Sequence, residues 1–392
     1  NYYSDMKMLK SSKNLQYALW VINDDNFIQS PYHQKDLKMI LGAKDTNGND
    51  LDFLVASALA MISKNKDSLQ SPYHEEDMKF ITKIGSSSLQ GTHSYPEHSV
   101  NHLALNKNSL KDKYHLENMR ILAENYSISY YLYPLMTKKE YIQGKYYREE
   151  IQALTKANSK LKARAIYYYI TNSSLSAEER MDLDNELWDN QVPFRAVWFG
   201  RKKMDNSEKG SKNPKYLENL ALLNSLEDKY VLFIEQLLSD SLLRKQNYQE
   251  KDIQTLLSLN NDELFFDLFE VMSNQNSIAS IYHLMDISLI QNTSSYFTRR
   301  MLISIATNQE NLNSRNHWFD MNYVASFDFD LLDSKSKDLL QYLFLTSEGI
   351  KDKKRMFKLK QIQPEFSMEK IDKKGLKLSK KKVLSQIKKY FS

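Results

Sequence analysis

The sequence predicts an all-α fold: an α-solenoid (superhelix) of about nine helix-turn-helix repeats over residues 1–350, closed by a basic C-terminal capping segment over 351–392. Three observations carry this. A motif of eleven residues returns along most of the chain. Within each copy, apolar side chains recur at the three- and four-residue spacing of one helix face. Gly and Pro number only 9 and 7, too few for the tight turns of sandwiches, barrels and α/β folds.

The motif reads SPYHQKDLKMI at 30–40, SPYHEEDMKFI at 71–81 and DKYHLENMRIL at 112–122, a spacing of 41 residues from His33 to His74 to His115. It returns as QNYQEKDIQTL (246–256), SIYHLMDISLI (280–290) and SRNHWFDMNYV (314–324), now 34 residues apart. GKYYREEIQAL (144–154) is a fourth N-terminal copy, and SAEERMDLDNE (176–186) and NPKYLENLALL (213–223) are weaker ones. Self-similarity at 32–41 residues marks a stacked helical array.

Each column has a physical reading. Ser30, Ser71, Asp112, Asn213, Ser280 and Ser314 stand where a helix needs an N-cap oxygen. Pro31, Pro72 and Pro214 follow at the first helical position, where a missing N–H costs nothing. Ser176 with Glu179 reads as a capping box. Then come Tyr (Tyr32, Tyr73, Tyr114, Tyr146, Tyr248, Tyr282) and His (His33, His74, His115, His283, His317). Three residues later stands an acid or amide: Asp36, Asp77, Asn118, Glu150, Asp252, Asp286 and Asp320. An aliphatic residue or Met follows it.

A second helical segment lies between copies, as in DFLVASALAMI (52–62), ELFFDLFEVM (263–272) and YFTRRMLISIA (296–306). A polar turn follows, in which Ile28, Leu69, Leu110, Ile278 and Leu312 stand two residues before the cap and could staple it. Two helices in about 34 residues cannot bury their own apolar faces, but stacked neighbours can. Over residues 15–350 this resembles the α-solenoid families built of tetratricopeptide, HEAT-like and related helical-hairpin repeats. The resemblance rests on unit length and helix count; the tetratricopeptide Trp, Leu-Gly, Tyr, Ala and Pro pattern is not at its usual offsets. It implies binding of other macromolecules along a concave face.

His and Asp at i, i+3 share a helix face and could ligate metal or move protons. Catalysis needs one convergent site, whereas this pair recurs in many units, and Tyr147 and Gln249 replace His in two of them. The column therefore reads as a structural device fixing helix starts or hydrogen bonds between units, ahead of a ligand ladder or an active site. DTNGND (45–50) has its Gly misplaced for an EF-hand and reads as a turn. His93, His98 and His102 sit in a long loop of the second unit, which reads as exposed surface rather than a zinc or nickel site. Nucleotide-binding loops, H-E-x-x-H and G-x-S-x-G are missing. Zero Cys removes thiol nucleophiles, disulfides and Cys–metal sites.

Residues 190–214 interrupt the array with Phe194, Trp198 and Phe199 beside Arg201, Lys202 and Lys203, a pattern able to contact a peptide or nucleic acid. Residues 351–392 carry 15 Lys+Arg against 4 Asp+Glu, so the net charge of +5 hides a mildly acidic body. Near the end, Lys380, Lys381, Lys382, Lys388 and Lys389 surround an apolar stripe of Val383, Leu384, Ile387 and Phe391. This is a basic amphipathic helix, read as a cap for the last repeat or a contact for an anionic surface. The expected function is a non-enzymatic scaffold that takes a protein or peptide partner in a helical-repeat groove and needs no cofactor. The alternative is RNA or DNA binding through the basic segment, which the acidic body disfavours. No apolar run is long enough for a transmembrane helix. The first residue, Asn1, is compatible with a removed leader, so the compartment stays open with cytoplasm slightly ahead; oligomeric state is unassigned.

Overall fold

The computed structural model describes residues 2–9, 15–43, 53–89, 100–173, 177–193, 196–197, 207–326 and 329–362. Among them the fold is all-α: 27 α-helices, with β structure confined to an isolated bridge between Ser207 and Asp240. The chain divides into two compact units, Asn1–Ser173 with Lys209–Leu232, and Ser174–Glu208 with Phe233–Ser392. The division thus falls inside the expected array and not at 350/351. Trp198, Arg201, Lys202, Lys203 and the five lysines at 380–389 lie outside the described residues, as do 45–50, His93 and His98.

Eight motif copies start a helix at the position of the motif His and not at the cap residue. In the first unit these helices are His33–Leu41, His74–Leu89, His115–Glu124, Tyr147–Thr155 and Tyr216–Ser225; in the second they are Gln249–Leu257, His283–Gln291 and His317–Ala325. The shift has a local cause. Ser30, Ser71, Asp112, Asn213, Ser280 and Ser314 each accept the backbone N–H two residues on, at 3.0–3.2 Å. The His N–H then reaches back only three residues, His33 to the Ser30 carbonyl at 3.3 Å and His74 to that of Ser71 at 3.3 Å. The cap oxygens serve a tight turn that feeds the α-helix.

Two further helices take the same register. Tyr2–Leu9 places Asp5 where other copies have the motif acid. In Arg355–Ile362, Asp352 accepts the Lys354 N–H at 2.7 Å as the cap residues do. The first residues of the expected basic segment therefore form a motif helix.

The second helices are the core. Phe53–Lys64 packs against both His33–Leu41 and His74–Leu89, burying Val55, Leu59 and Ile62 completely. In the second unit Asp262–Met272 packs against His283–Gln291 and Tyr296–Ala306, and Phe233 meets Phe265, Phe266 and Phe269 edge-on with centroids 5.0–6.4 Å apart. Each such side chain contributes about 1.5–3 kcal/mol through burial, and edge-on ring pairs add about 0.5–1.5 kcal/mol.

The turn expected before each cap contains a helix of its own. Asp25–Ile28, Lys66–Leu69, Lys139–Ile142, Ser241–Lys245, Gln275–Ala279, Gln309–Leu312 and Ser347–Ile350 are one-turn helices. Side chains cap most of them: Asn65 accepts the Ser68 N–H at 2.9 Å, Asn274 that of Asn276 at 3.0 Å and Asn308 that of Asn311 at 2.9 Å. In the second unit successive members touch one another, so a unit has three helical segments per copy. Gly349 is required there, because a Cβ would stand 2.0 Å from the Tyr342 carbonyl oxygen.

The copy at 176–186 does form a helix, Ala177–Asp189, with Leu183 and Leu187 buried. It does not stand between its sequence neighbours. Tyr147–Thr155 and Lys160–Thr171 pack directly on Tyr216–Ser225, and Asn224 Nδ2 donates to the Ala153 carbonyl at 3.0 Å. The order in the first unit passes from 147 to 216.

Candidate functional site

The Tyr, His and Asp columns meet between successive copies. The motif His of one copy donates from Nε2 to the motif acid of the copy before it: His74 to Asp36 at 2.9 Å, His115 to Asp77 at 3.0 and 3.1 Å, His283 to Asp252 at 2.9 Å and His317 to Asp286 at 2.9 and 3.1 Å. His33 meets Asp5 at 2.9 Å, which makes Tyr2–Leu9 the first rung. The Tyr before each His lies against the next copy's His: Tyr32 on His74 (4.5 Å between centroids), Tyr73 on His115 (5.0 Å), Tyr248 on His283 (4.7 Å) and Tyr282 on His317 (4.7 Å). All five imidazoles and the acids facing them are buried.

The other ring nitrogen is satisfied by a residue six positions before the His. Ser68, Ser109 and Ser277 meet Nδ1 of His74, His115 and His283 through Oγ at 3.2, 2.8 and 2.9 Å. A hydroxyl donates or accepts as required. At His33 the partner is the Phe27 carbonyl, 3.3 Å away, which only accepts. At His317 it is Asn311 Oδ1 at 2.8 Å. Asn311 Nδ2 is committed to Asp320 at 2.7 Å and the Phe344 carbonyl at 2.9 Å, so the amide is held with its oxygen towards the ring.

Where His is replaced, the position stays buried at Tyr147, Tyr216 and Arg355 and is half-buried at Gln249, and the chemistry changes. Tyr147 lies under Tyr114 with centroids 6.1 Å apart. Tyr216 lies under Tyr146 at 5.1 Å and donates its hydroxyl to Glu150 at 2.7 Å. Gln249 Nε2 donates to the Leu237 carbonyl at 2.6 Å. Arg355 forms a buried ion pair with Asp320. Six residues before Tyr216 stands Gly210, where a Cβ would come within 2.5 Å of the Tyr169 ring.

Burial is the largest influence on the ladder acids. It pushes the carboxyls of Asp77, Asp252 and Asp286 up, against the opposing pull of the facing His. Glu150 is pushed up by burial while the Tyr216 hydroxyl pulls it down, and burial raises the Tyr216 phenol. Asp320 is raised to about 6 by burial, although Arg355 and Asn311 pull the other way.

A second buried network links the core helices. Asp267 accepts Arg299 Nε at 3.1 Å and Arg300 Nη1 at 3.2 Å, and Arg299 also donates to the Ser294 carbonyl at 2.8 Å. The apolar reading of these helices missed it, although an Asp and an Arg pair on them were the visible signal. Among the described residues no group of three or more His, Asp or Glu is placed to hold a metal ion, and no helix is long and apolar enough to cross a membrane. His102 lies on the short Val100–Leu103 helix, half-buried.

Fold and site together define an all-helical protein whose motif helices are joined by buried imidazole–carboxylate rungs. Comparison with protein-family models, curated proteins and solved structures finds no match to the chain.

Proposed function

We propose that the chain is a helical-repeat scaffold of the α-solenoid kind, in which the motif helices stack within each unit and the assembled surface binds a protein partner. One observation carries the reading: the recurring polar column is used up inside the molecule. Each described motif imidazole has both nitrogens engaged, which leaves it neither a free base nor an open ligand position.

One exposed patch of the second unit is apolar. Phe297 is 55% and Leu331 85% exposed. Tyr296 meets Phe297 edge-on at 5.2 Å, and Lys337 stands 5.8 Å from both the Phe297 and Phe329 rings. Exposed aromatic and aliphatic groups of this kind mark interaction sites. The chemistry suits a partner segment with an apolar side chain beside a carboxylate, the latter answering Lys337.

The test is photo-crosslinking from position 297 in the full chain, with an exposed site such as Lys38 as control, followed by binding measurements with the captured partner. Phe297→Ala/Leu331→Ala should weaken that binding at least tenfold with unchanged thermal unfolding. Equal capture from both positions, or unchanged affinity, would reject the reading.

A further inference from the structure

A second surface, in the first unit, goes beyond this reading. The short helix and turn before the helices at His115, Tyr147 and Tyr216 form one edge. Asn108 Nδ2 donates to the Thr137 carbonyl at 2.9 Å, and Lys209 stands 5.1 Å from the Tyr141 ring and 3.8 Å from Glu140. The three stretches 106–114, 138–146 and 209–215 hold nine Lys against two acids. Those acids are spoken for: Asp112 is buried and accepts from the Tyr114 N–H at 3.2 Å and Asn118 Nδ2 at 3.2 Å, and Glu140 faces Lys209.

The lysines fall in threes. Lys107, Lys111 and Lys113 belong to the first stretch, Lys138, Lys139 and Lys145 to the second, Lys209, Lys212 and Lys215 to the third. Between the first two runs a groove of about 510 Å3, with Lys111 and Lys113 on one wall and Lys139 and Gln143 on the other. The turn itself does not demand these charges. The equivalent stretch 274–282 has no charged residue, and 24–32 has two Asp.

We propose that this edge binds the phosphate backbone of a nucleic acid without sequence preference. Ammonium groups act as point charges on phosphate, and affinity grows with the number of phosphates neutralised. A protein ligand is a poorer fit, because the cores of protein interfaces are depleted in Lys and anchored by aromatics. None of the large exposed apolar side chains lies in the three stretches, and Lys113 and Lys145 cover the Tyr114 and Tyr146 rings at 4.8 and 4.9 Å.

The experiment is fluorescence anisotropy of the full chain with labelled single-stranded and duplex oligonucleotides of mixed sequence. Lys111→Glu/Lys113→Glu/Lys139→Glu is compared with Lys38→Glu/Lys160→Glu/Lys245→Glu, an equal charge change at exposed lysines elsewhere. Wild type should bind at about 50 mM salt, and the edge variant should lose at least tenfold and show a salt slope shallower by about 2–3. The control should stay within twofold. The corresponding Gln triple should give a smaller loss in the same direction, with the circular dichroism of all variants unchanged. No binding by wild type, equal loss from both Glu triples, or equal competition by polyglutamate would overturn the proposal, the last by making an acidic protein the ligand.

Discussion

His283→Ala strands the Asp252 carboxylate, buried and 2.9 Å from the nitrogen it loses. Removing one partner of a buried pair costs about 3–5 kcal/mol, and denaturant unfolding should show a loss of that size. Ser277→Ala removes only the bond to Nδ1 and should cost about 1 kcal/mol. Asp320 adds a pH dependence. Its carboxyl holds a proton to about 6 in the folded chain and to about 3.9 when unfolded. Between those values the folded state binds more protons, so the stability Asp320 contributes is complete below about pH 4 and is lost as pH rises through about 6. The stability of wild type minus that of Asp320→Asn should therefore fall between pH 4 and 7, by up to roughly 3 kcal/mol; a flat difference would count against it. The Tyr, His and acid columns were visible in the sequence because one residue type recurs in each. Their partner six residues before the His was not, since it is Phe27, Ser68, Ser109, Tyr141, Gly210, Leu243, Ser277, Asn311 or Gly349 in different copies. In the His copies it meets Nδ1 through a hydroxyl, an amide oxygen or a backbone carbonyl, so no common type marks it.

The side-chain-capped one-turn helices depend on their caps, having too few residues to gain much from their own hydrogen bonds. Asn65→Ala and Asn274→Ala each lose a side-chain oxygen that accepts a first-turn N–H, and each should cost about 1 kcal/mol in thermal or denaturant unfolding. Gly349→Ala forces backbone apart at Tyr342 and should cost more than either cap variant. The long second helices were legible from apolar spacing, and YFTRRMLISIA coincides with the Tyr296–Ala306 helix. The one-turn helices read as turns because four or five residues are too short for a 3.6-residue period to show. The residues read as N-caps, with Pro31, Pro72 and Pro214 after them, lie in a turn before the helix: their oxygens accept the N–H two residues on, and the α-helix begins three residues later.

Among the described residues of the first unit, sequence order and spatial order part between the helices at 147 and 216. Ala177–Asp189 has an amphipathic pattern, with Leu183 and Leu187 buried, but has Glu178 and Glu179 where other copies have the Tyr and His. Tyr216 supplies the hydroxyl that meets Glu150. Periodicity reports that a helix has a buried face and not what buries it. The average charge misled in a similar way: a mildly acidic body conceals a lysine edge confined to three copies. If the rungs join neighbouring copies, damage at one should be felt in both. His74→Ala should speed amide exchange in His33–Leu41 as well as in His74–Leu89, and leave the second unit unchanged. The most direct measurement is a double-mutant cycle on Asp36→Ala and His74→Ala by denaturant unfolding. The ladder predicts that the two losses overlap, with a coupling of about 1.5–3 kcal/mol; losses that add within about 0.5 kcal/mol would mean that the imidazole and the carboxylate do not hold the two copies together.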